Sequence, residues 1–188
     1  MDHLWLIRHG ETEWTLSGAH TGSTDIPLTE VGRQQAAGLG AYLARHSFSL
    51  VLSSPLSRAL DTARIAGYHP QVDSDLCEWD YGAYEGRKTA EIRQERPGWA
   101  LWRDGVPEGE SIKDVAARAR RVIAKANESD GEVALFAHGH FLRILASCWL
   151  ELAPDDARLF ALGTASVSTL GYEREERVIL RWNLQPAE

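Results

Sequence analysis

Three apolar runs in this chain end directly in groups able to do chemistry. Leu4-Trp5-Leu6-Ile7 runs into Arg8-His9-Gly10, Phe48–Leu52 runs into Ser53-Ser54-Pro55 just ahead of Arg58, and Val133–Ala137 runs into His138-Gly139-His140. Each run suits a sheet interior, and open α/β sheets bind ligands beyond the carboxyl ends of their strands. A single Arg-His pair at a strand end reads as surface decoration. Two arginines and two histidines at one sheet edge would surround a small anion. Guanidinium forks grip phosphate oxygens at two points and stabilise the charge of the phosphoryl transition state. A neutral imidazole is a competent nucleophile toward phosphorus and divides hydrolysis into two easier steps. The remaining task, protonating an alkoxide and then deprotonating water, suits a carboxylic acid with a raised pKa. Asp75, Glu78, Asp80 and Glu85 are the candidates; Glu78 lies between the apolar Cys77 and Trp79, and residue types alone do not choose among the four.

The elements that position these groups follow from pattern. Thr29 is an N-cap with Val31, Gln35, Leu39 and Leu43 at helical spacing, which predicts a helix over 29–46. Further helices are predicted from Ser57 to about Gly67, over 89–95, over 110–127 and over 141–151. The order strand-helix-strand-helix implies parallel strands with right-handed crossovers. Glu11–Pro27, rich in glycine and hydroxyls, reads as an ordered loop in which Thr15, Thr21 and Ser23 could bind oxygens. The stretch from Val72 to Gly86 reads as irregular chain over the sheet edge, and Ser166–Tyr172 with Arg177–Trp182 as a terminal antiparallel hairpin. The expected fold class is α/β, a three-layer α/β/α sandwich with a mostly parallel sheet and an antiparallel edge hairpin, in one domain spanning 1–188.

Composition narrows the partners. With 188 residues, 44% of them hydrophobic and 25% charged, the chain has the make-up of one ordinary globular domain. A net charge of -7 argues against nucleic acid or an anionic membrane as the main partner, so any anion site must be a local cationic pocket. Cys77 and Cys148 are far apart in sequence and read as free thiols. No run reaches the roughly 18 apolar residues of a membrane span, and the first strand begins without a leader, so a cytoplasmic protein is expected.

Arg8-His9-Gly10-Glu11-Thr12, Ser54-Pro55-Leu56-Ser57-Arg58-Ala59 with Thr62, Leu76-Cys77-Glu78-Trp79-Asp80-Tyr81-Gly82 and Ala137-His138-Gly139 together resemble the histidine phosphatase superfamily, also called phosphoglycerate-mutase-like. The resemblance covers nearly the whole chain. It implies that fold, His9 as the phosphorylated residue, Arg8, Arg58 and a protonated His138 as the rest of the phosphate pocket, and Glu78 as proton donor and acceptor. It also implies that His9 is neutral, oriented by a backbone acceptor at its other nitrogen. Thr15 stands where many members carry an asparagine that touches phosphate. Thr21 and Gly22 match a small pair that contacts substrate, Tyr81 matches an aromatic near the leaving group, and Gly139 and His140 follow the pocket histidine. His20 lies beside Thr21, and Trp14, Trp79 and Trp102 are candidate pocket walls. Only about 60 residues separate Glu78 from His138, which leaves no room for the long insertion of the mutases. The motifs look more like the branch holding acid phosphatases and sedoheptulose bisphosphatase. The implied activity is hydrolysis of phosphomonoesters of small metabolites, sugar phosphates and bisphosphates among them, through a phosphohistidine, without metal or organic cofactor and with an acidic optimum. The alternatives are a cofactor-dependent phosphoglycerate mutase and, from another class, a non-catalytic phospho-ligand-binding module; a homodimer is an open possibility for assembly. A metal site of His9, Glu11, His138 and His140 is disfavoured, because the two arginines would repel a cation.

Overall fold

The computed structural model describes residues 1–186; the last two residues of the expected domain span, 187–188, lie outside the described residues. The chain runs β1 (Leu4–Arg8), α1 (Glu13–Ser17), α2 (Glu30–Leu43), β2 (Phe48–Ser53), α3 (Ser57–Ile65), β3 (Gln71–Val72), α4 (Thr89–Glu95), α5 (Leu101–Asp104), α6 (Ile112–Asn127), β4 (Glu132–Ala137), α7 (Gly139–Trp149), β5 (Val167–Glu173) and β6 (Glu176–Leu184). Six strands form one sheet in the order β3-β2-β4-β1-β5-β6. β3, β2, β4 and β1 are parallel, and β5 and β6 close one edge as an antiparallel hairpin.

Period-2 alternation divides β1 between two cores. Leu4 and Leu6 pack on the side of α6 and α7 with Val115, Ile144 and Leu145, whereas Trp5 and Ile7 pack on the side of α2 and α3 with Leu39, Leu43 and Ala63. The result is the expected three-layer sandwich. No described helix is long and apolar enough to cross a membrane.

Three local departures bear on the site. The expected loop over 11–27 contains α1, because Thr12 caps it and Thr15 closes a capping box. Of the three candidate hydroxyls, that of Thr15 belongs to this cap, whereas Thr21 donates to Ala19 O at 3.1 Å within the loop. α7 starts at Gly139, two residues earlier than periodicity predicts, with His138 as its N-cap residue. Between Val72 and Gly86 the chain is irregular as expected apart from 3-10 turns at Ser74–Leu76 and Gly82–Tyr84, but it is preceded by the two-residue strand β3, too short to leave a pattern.

Candidate active site

Strand register brings the three motifs together. Arg8 pairs with Ala137 and Ser53 with Phe136, so β1, β2 and β4 end level with one another. The His9 N–H donates to Ala137 O at 3.0 Å and the Ser54 N–H to Phe136 O at 3.0 Å, which sets His9, Ser54 and His138 side by side. The rings of His9 and His138 are 5.2 Å apart.

His9 is 3% exposed and its Nδ1 lies 2.7 Å from Gly10 O. A carbonyl oxygen only accepts, so Nδ1 carries the proton and Nε2 keeps the lone pair. Burial, reinforced by the Arg8 and Arg58 charges, pushes the His9 pKa well below its ordinary value and keeps the ring neutral. The expected neutral, backbone-oriented imidazole is present. His138 differs from expectation. It is fully buried with Nε2 2.8 Å from Ser54 Oγ, and burial, then Arg58, push its pKa well down. The expected protonated His138 is therefore corrected to a neutral ring.

Arg8 donates through Nη1 to Leu162 O, and its guanidinium lies against the α7 start: a Cβ at Gly139 would sit 3.2 Å from Arg8 Cζ. Arg58 is fully buried, donating through Nη1 to Thr24 O at 2.9 Å and through Nη2 to Gly22 O at 2.8 Å and Thr21 O at 3.3 Å. It pins the loop that follows α1. Arg8 Nε, Arg58 Nε and His138 Nδ1 are buried and have no partner among the described residues. Buried unpaired polar atoms are costly and call for an explanation, and three of them beside a neutral imidazole suit the oxygens of an anion.

Glu78 is 7% exposed and faces the same space. Oε1 accepts from Trp79 N at 2.9 Å and Phe141 N at 2.8 Å, and Oε2 accepts from His140 N at 3.0 Å. Two of these donors belong to the first turn of α7, whose N–H groups have no partner within the helix. Tyr81 hydrogen bonds through its hydroxyl to His140 Nδ1. Burial drives the Tyr81 pKa well up and the His140 pKa well down, so both groups are neutral.

A cavity of about 390 Å³ opens over this floor, within the size range of metabolite pockets. Of the expected residues, Arg8, His9, Thr15, Thr21, Glu78, Tyr81, Gly139 and His140 line it, as do His20, Trp14 and Trp102. Arg58 and His138 lie beneath them, buried. Gly22 does not line the cavity: it is buried, its N–H donates to Glu85 Oε1 at 2.8 Å, and a Cβ there would meet Trp79 O at 2.5 Å. Its need for glycine is packing, which corrects the expected substrate contact. The Thr15 hydroxyl is engaged with Thr12 N and O at 2.9 and 2.8 Å. Trp79 is core rather than wall, fully buried with Nε1 donating to Glu110 O at 2.8 Å. Sequence reading missed Trp99, Arg93 and Arg143, all of which line the cavity. Only Arg143 carries a signal, standing three residues after His140 on a helix. Among the described residues no group of three or more His, Cys, Asp or Glu is placed to hold a metal ion.

A buried neutral histidine at a strand end, ringed by two arginines and faced by a carboxylate, is the arrangement of an enzyme that passes a phosphoryl group through imidazole. Residues 4–185 match the model of the histidine phosphatase superfamily (branch 1), and the chain belongs to that family. An acid phosphatase of Mycobacterium tuberculosis is 42% identical over 179 residues, covering 93% of this chain and 88% of that protein. Sedoheptulose 1,7-bisphosphatase of Saccharomyces cerevisiae is 36% identical, covering 78% of this chain and 67% of that one. A Salmonella arizonae protein named probable phosphoglycerate mutase is 31% identical over the whole of this chain and 93% of its own. The solved structure of an open reading frame of Mycobacterium tuberculosis superposes with a TM-score of 0.95 at 39% identity, covering 99% of both chains.

Proposed function

We propose that this chain is, as a single domain, a phosphatase that hydrolyses phosphomonoesters of small phosphorylated metabolites through a phosphohistidine on His9, using side chains alone. The observation that carries this reading is the Nδ1–H bond of His9 to Gly10 O, which aims an unprotonated Nε2 into a cavity floored by arginine. In the first step Nε2 attacks phosphorus, the Nε2–P bond forms and the bond from phosphorus to the leaving oxygen breaks. Arg8 and Arg58 offer to the phosphoryl oxygens their Nε–H groups, which have no partner among the described residues. With Ser54 donating its hydroxyl to Nε2, neutral His138 keeps a proton on Nδ1 and adds a third donor.

Glu78 supplies the proton to the leaving oxygen. Its Oε1 already accepts two N–H bonds and Oε2 only one, so Oε2 is the oxygen with a lone pair left to carry a proton. In the second step water gives its proton to the same Oε2 and attacks phosphorus, the Nε2–P bond breaks and phosphate leaves. The mutase reading differs only in the second acceptor. The two relatives of higher identity are named phosphatases, and the short chain between Glu78 and His138 favours water.

The test is a panel of phosphomonoesters with product analysis under exhaustive chelation, combined with rapid quenching. Free phosphate, undiminished by chelator, and an acid-labile phosphoryl label on the protein are expected. His9→Ala should lose the label and on the order of 10⁴-fold or more in kcat/KM. Transfer to a second sugar or glycerate outpacing phosphate release would replace hydrolysis with mutase activity, and a fully active His9→Ala protein would sink the phosphohistidine.

A further inference from the structure

Of the acidic side chains near the site, Glu85 has no part in the proton transfers. It does not line the cavity. Its side chain reaches instead to the loop after α1, where Oε1 accepts from Gly22 N at 2.8 Å and from Thr24 N at 3.0 Å. Its Oε2 is buried and has no hydrogen-bond partner among the described residues. A buried oxygen left unpaired costs stability, so the reason for a carboxylate here lies in what Oε1 does.

The two N–H groups that Glu85 holds belong to the loop whose carbonyls hold Arg58. Thr21 O, Gly22 O and Thr24 O all accept from the Arg58 Nη groups. Three carbonyl oxygens turned toward one guanidinium repel one another, and the loop can present them only if its backbone is fastened from the other side. Glu85 is that fastening. The Thr21 carbonyl and the Gly22 N–H are the two ends of one peptide group, which therefore stands with its oxygen on the Arg58 guanidinium and its hydrogen on the Glu85 carboxylate. A peptide dipole so placed is favourable at both ends, and each bond polarises and strengthens the other. The segment that carries Glu85 is itself tied to the loop, with Gly86 N donating to His20 O at 2.8 Å and His20 N donating to Arg87 O at 3.0 Å. A guanidinium is a rigid planar fork, so bonds that fix its two Nη groups also fix the direction of Nε–H. That Nε–H is the one with no partner among the described residues.

We infer that Glu85 is a positioning residue for the phosphate site: it holds the backbone of residues 21–24 from behind, so that their carbonyls fix the Arg58 guanidinium with its Nε–H toward the phosphoryl group. This rests on the phosphatase reading above, which assigns that Nε–H to a phosphoryl oxygen. Glu78 and Glu85 then stand only seven residues apart with separate tasks. Glu78 acts on the leaving oxygen, and Glu85 acts through the loop and Arg58 on the group transferred. Its effect should be the same whatever the leaving group.

The test pairs turnover with the binding of inorganic phosphate to the whole protein, which calorimetry follows without any reaction. Glu85→Ala should raise the phosphate Kd tenfold or more. It should also lower kcat/KM about 10–100-fold, the usual worth of an ångström of misplacement, and by the same factor for p-nitrophenyl phosphate and for an alkyl phosphate. Glu85→Gln, which keeps an oxygen for both N–H groups, should recover most of both losses. In an Arg58→Lys background, where no planar fork is left to aim, Glu85→Ala should cost about threefold or less. If Glu85→Ala does not fold, Glu85→Asp, one methylene short of the loop, should raise the phosphate Kd about threefold or more. An unchanged phosphate Kd, a loss confined to the alkyl phosphate, Glu85→Gln no better than Glu85→Ala, or losses that multiply independently with Arg58→Lys overturn the assignment while leaving the phosphatase reading intact. Wild type that binds phosphate but hydrolyses none of the substrates sinks the phosphatase reading alone, and wild type that does neither sinks both.

Discussion

The floor of the cavity and its wall are held in different ways. Apart from Arg58 on α3, the floor residues sit at the ends of β1, β2 and β4, where ladder hydrogen bonds place each one within a residue of its neighbour. The wall over 74–110 has no such lattice. Its start is gathered by one side chain distant in sequence: Arg118 of α6 donates to Asp75 O at 2.7 Å, Cys77 O at 2.9 Å and Glu78 O at 3.3 Å, and forms a two-point pair with Glu110 at 2.8 Å. Glu110 in turn accepts from Asp80 N at 3.1 Å, and its carbonyl takes the Trp79 indole N–H. The nucleophile is set by the sheet, whereas the acid has its backbone set by a side-chain clamp and its carboxylate by the N–H groups of the α7 start.

The comparison breaks most sharply at the clamp. Glu78→Gln should lose about 10²–10⁴-fold in kcat for alkyl phosphates, the usual worth of a general acid. The loss should be far smaller with p-nitrophenyl phosphate, whose leaving group departs without a proton. Arg118→Met should reproduce that leaving-group dependence at about 10–100-fold, because an ångström of misplacement costs about that much. The clamp pair is 12% and 25% exposed, between the surface and buried limits, so its loss should also cost on the order of 2 kcal/mol in stability. Equal losses on both substrates would reduce Arg118 to a purely structural residue.

The floor answers to pH. His9 and His138 are buried with pKa values pushed well below the ordinary one, so the folded protein binds fewer protons than the unfolded chain once the pH drops below about 6.5. The stability they contribute is therefore present above that pH and is lost as the pH falls toward their folded values. Each removes up to about 1.4 kcal/mol per pH unit in that range. Urea midpoints measured between pH 7.5 and 5 should fall with a slope that is shallower in His138→Asn, which removes one of the two groups. An unchanged slope would mean that His138 is charged in the native floor after all.

These differences also explain what could be read before folding. An apolar run followed by a reactive group is a local pattern, and β1, β2, β4 and their three motifs were legible because one short stretch holds both the strand and the side chain it delivers. The wall was not, since Arg118 and Glu78 are 40 residues apart and nothing local says that three carbonyls meet one guanidinium. The protonated state expected for His138 fails for a related reason: burial decides it, and burial is a property of the packed whole. Trp79 shows the same limit, because a tryptophan beside the acid reads equally well as wall or as core until Glu110 is seen to take its N–H.

Thr15 marks the boundary between the two regions and carries the smallest effect. It stands where the family resemblance implies a residue touching phosphate, and it does line the cavity. Its hydroxyl, however, donates to Thr12 O and accepts from Thr12 N, while the Thr12 hydroxyl accepts from Thr15 N, so both partners of the capping box at α1 are occupied with one another. A hydroxyl has one proton to give, and here the Thr12 carbonyl takes it. Thr15→Ala should therefore act through the cap, costing about 1 kcal/mol. Because α1 leads into the loop that Arg58 grips, a two- to fivefold rise in KM should accompany it, read across the same substrate panel. Thr15→Asn separates the two roles: an amide long enough to reach past the cap should lower KM if this position faces phosphate, and should leave it at the Thr15→Ala value if α1 only shapes the rim.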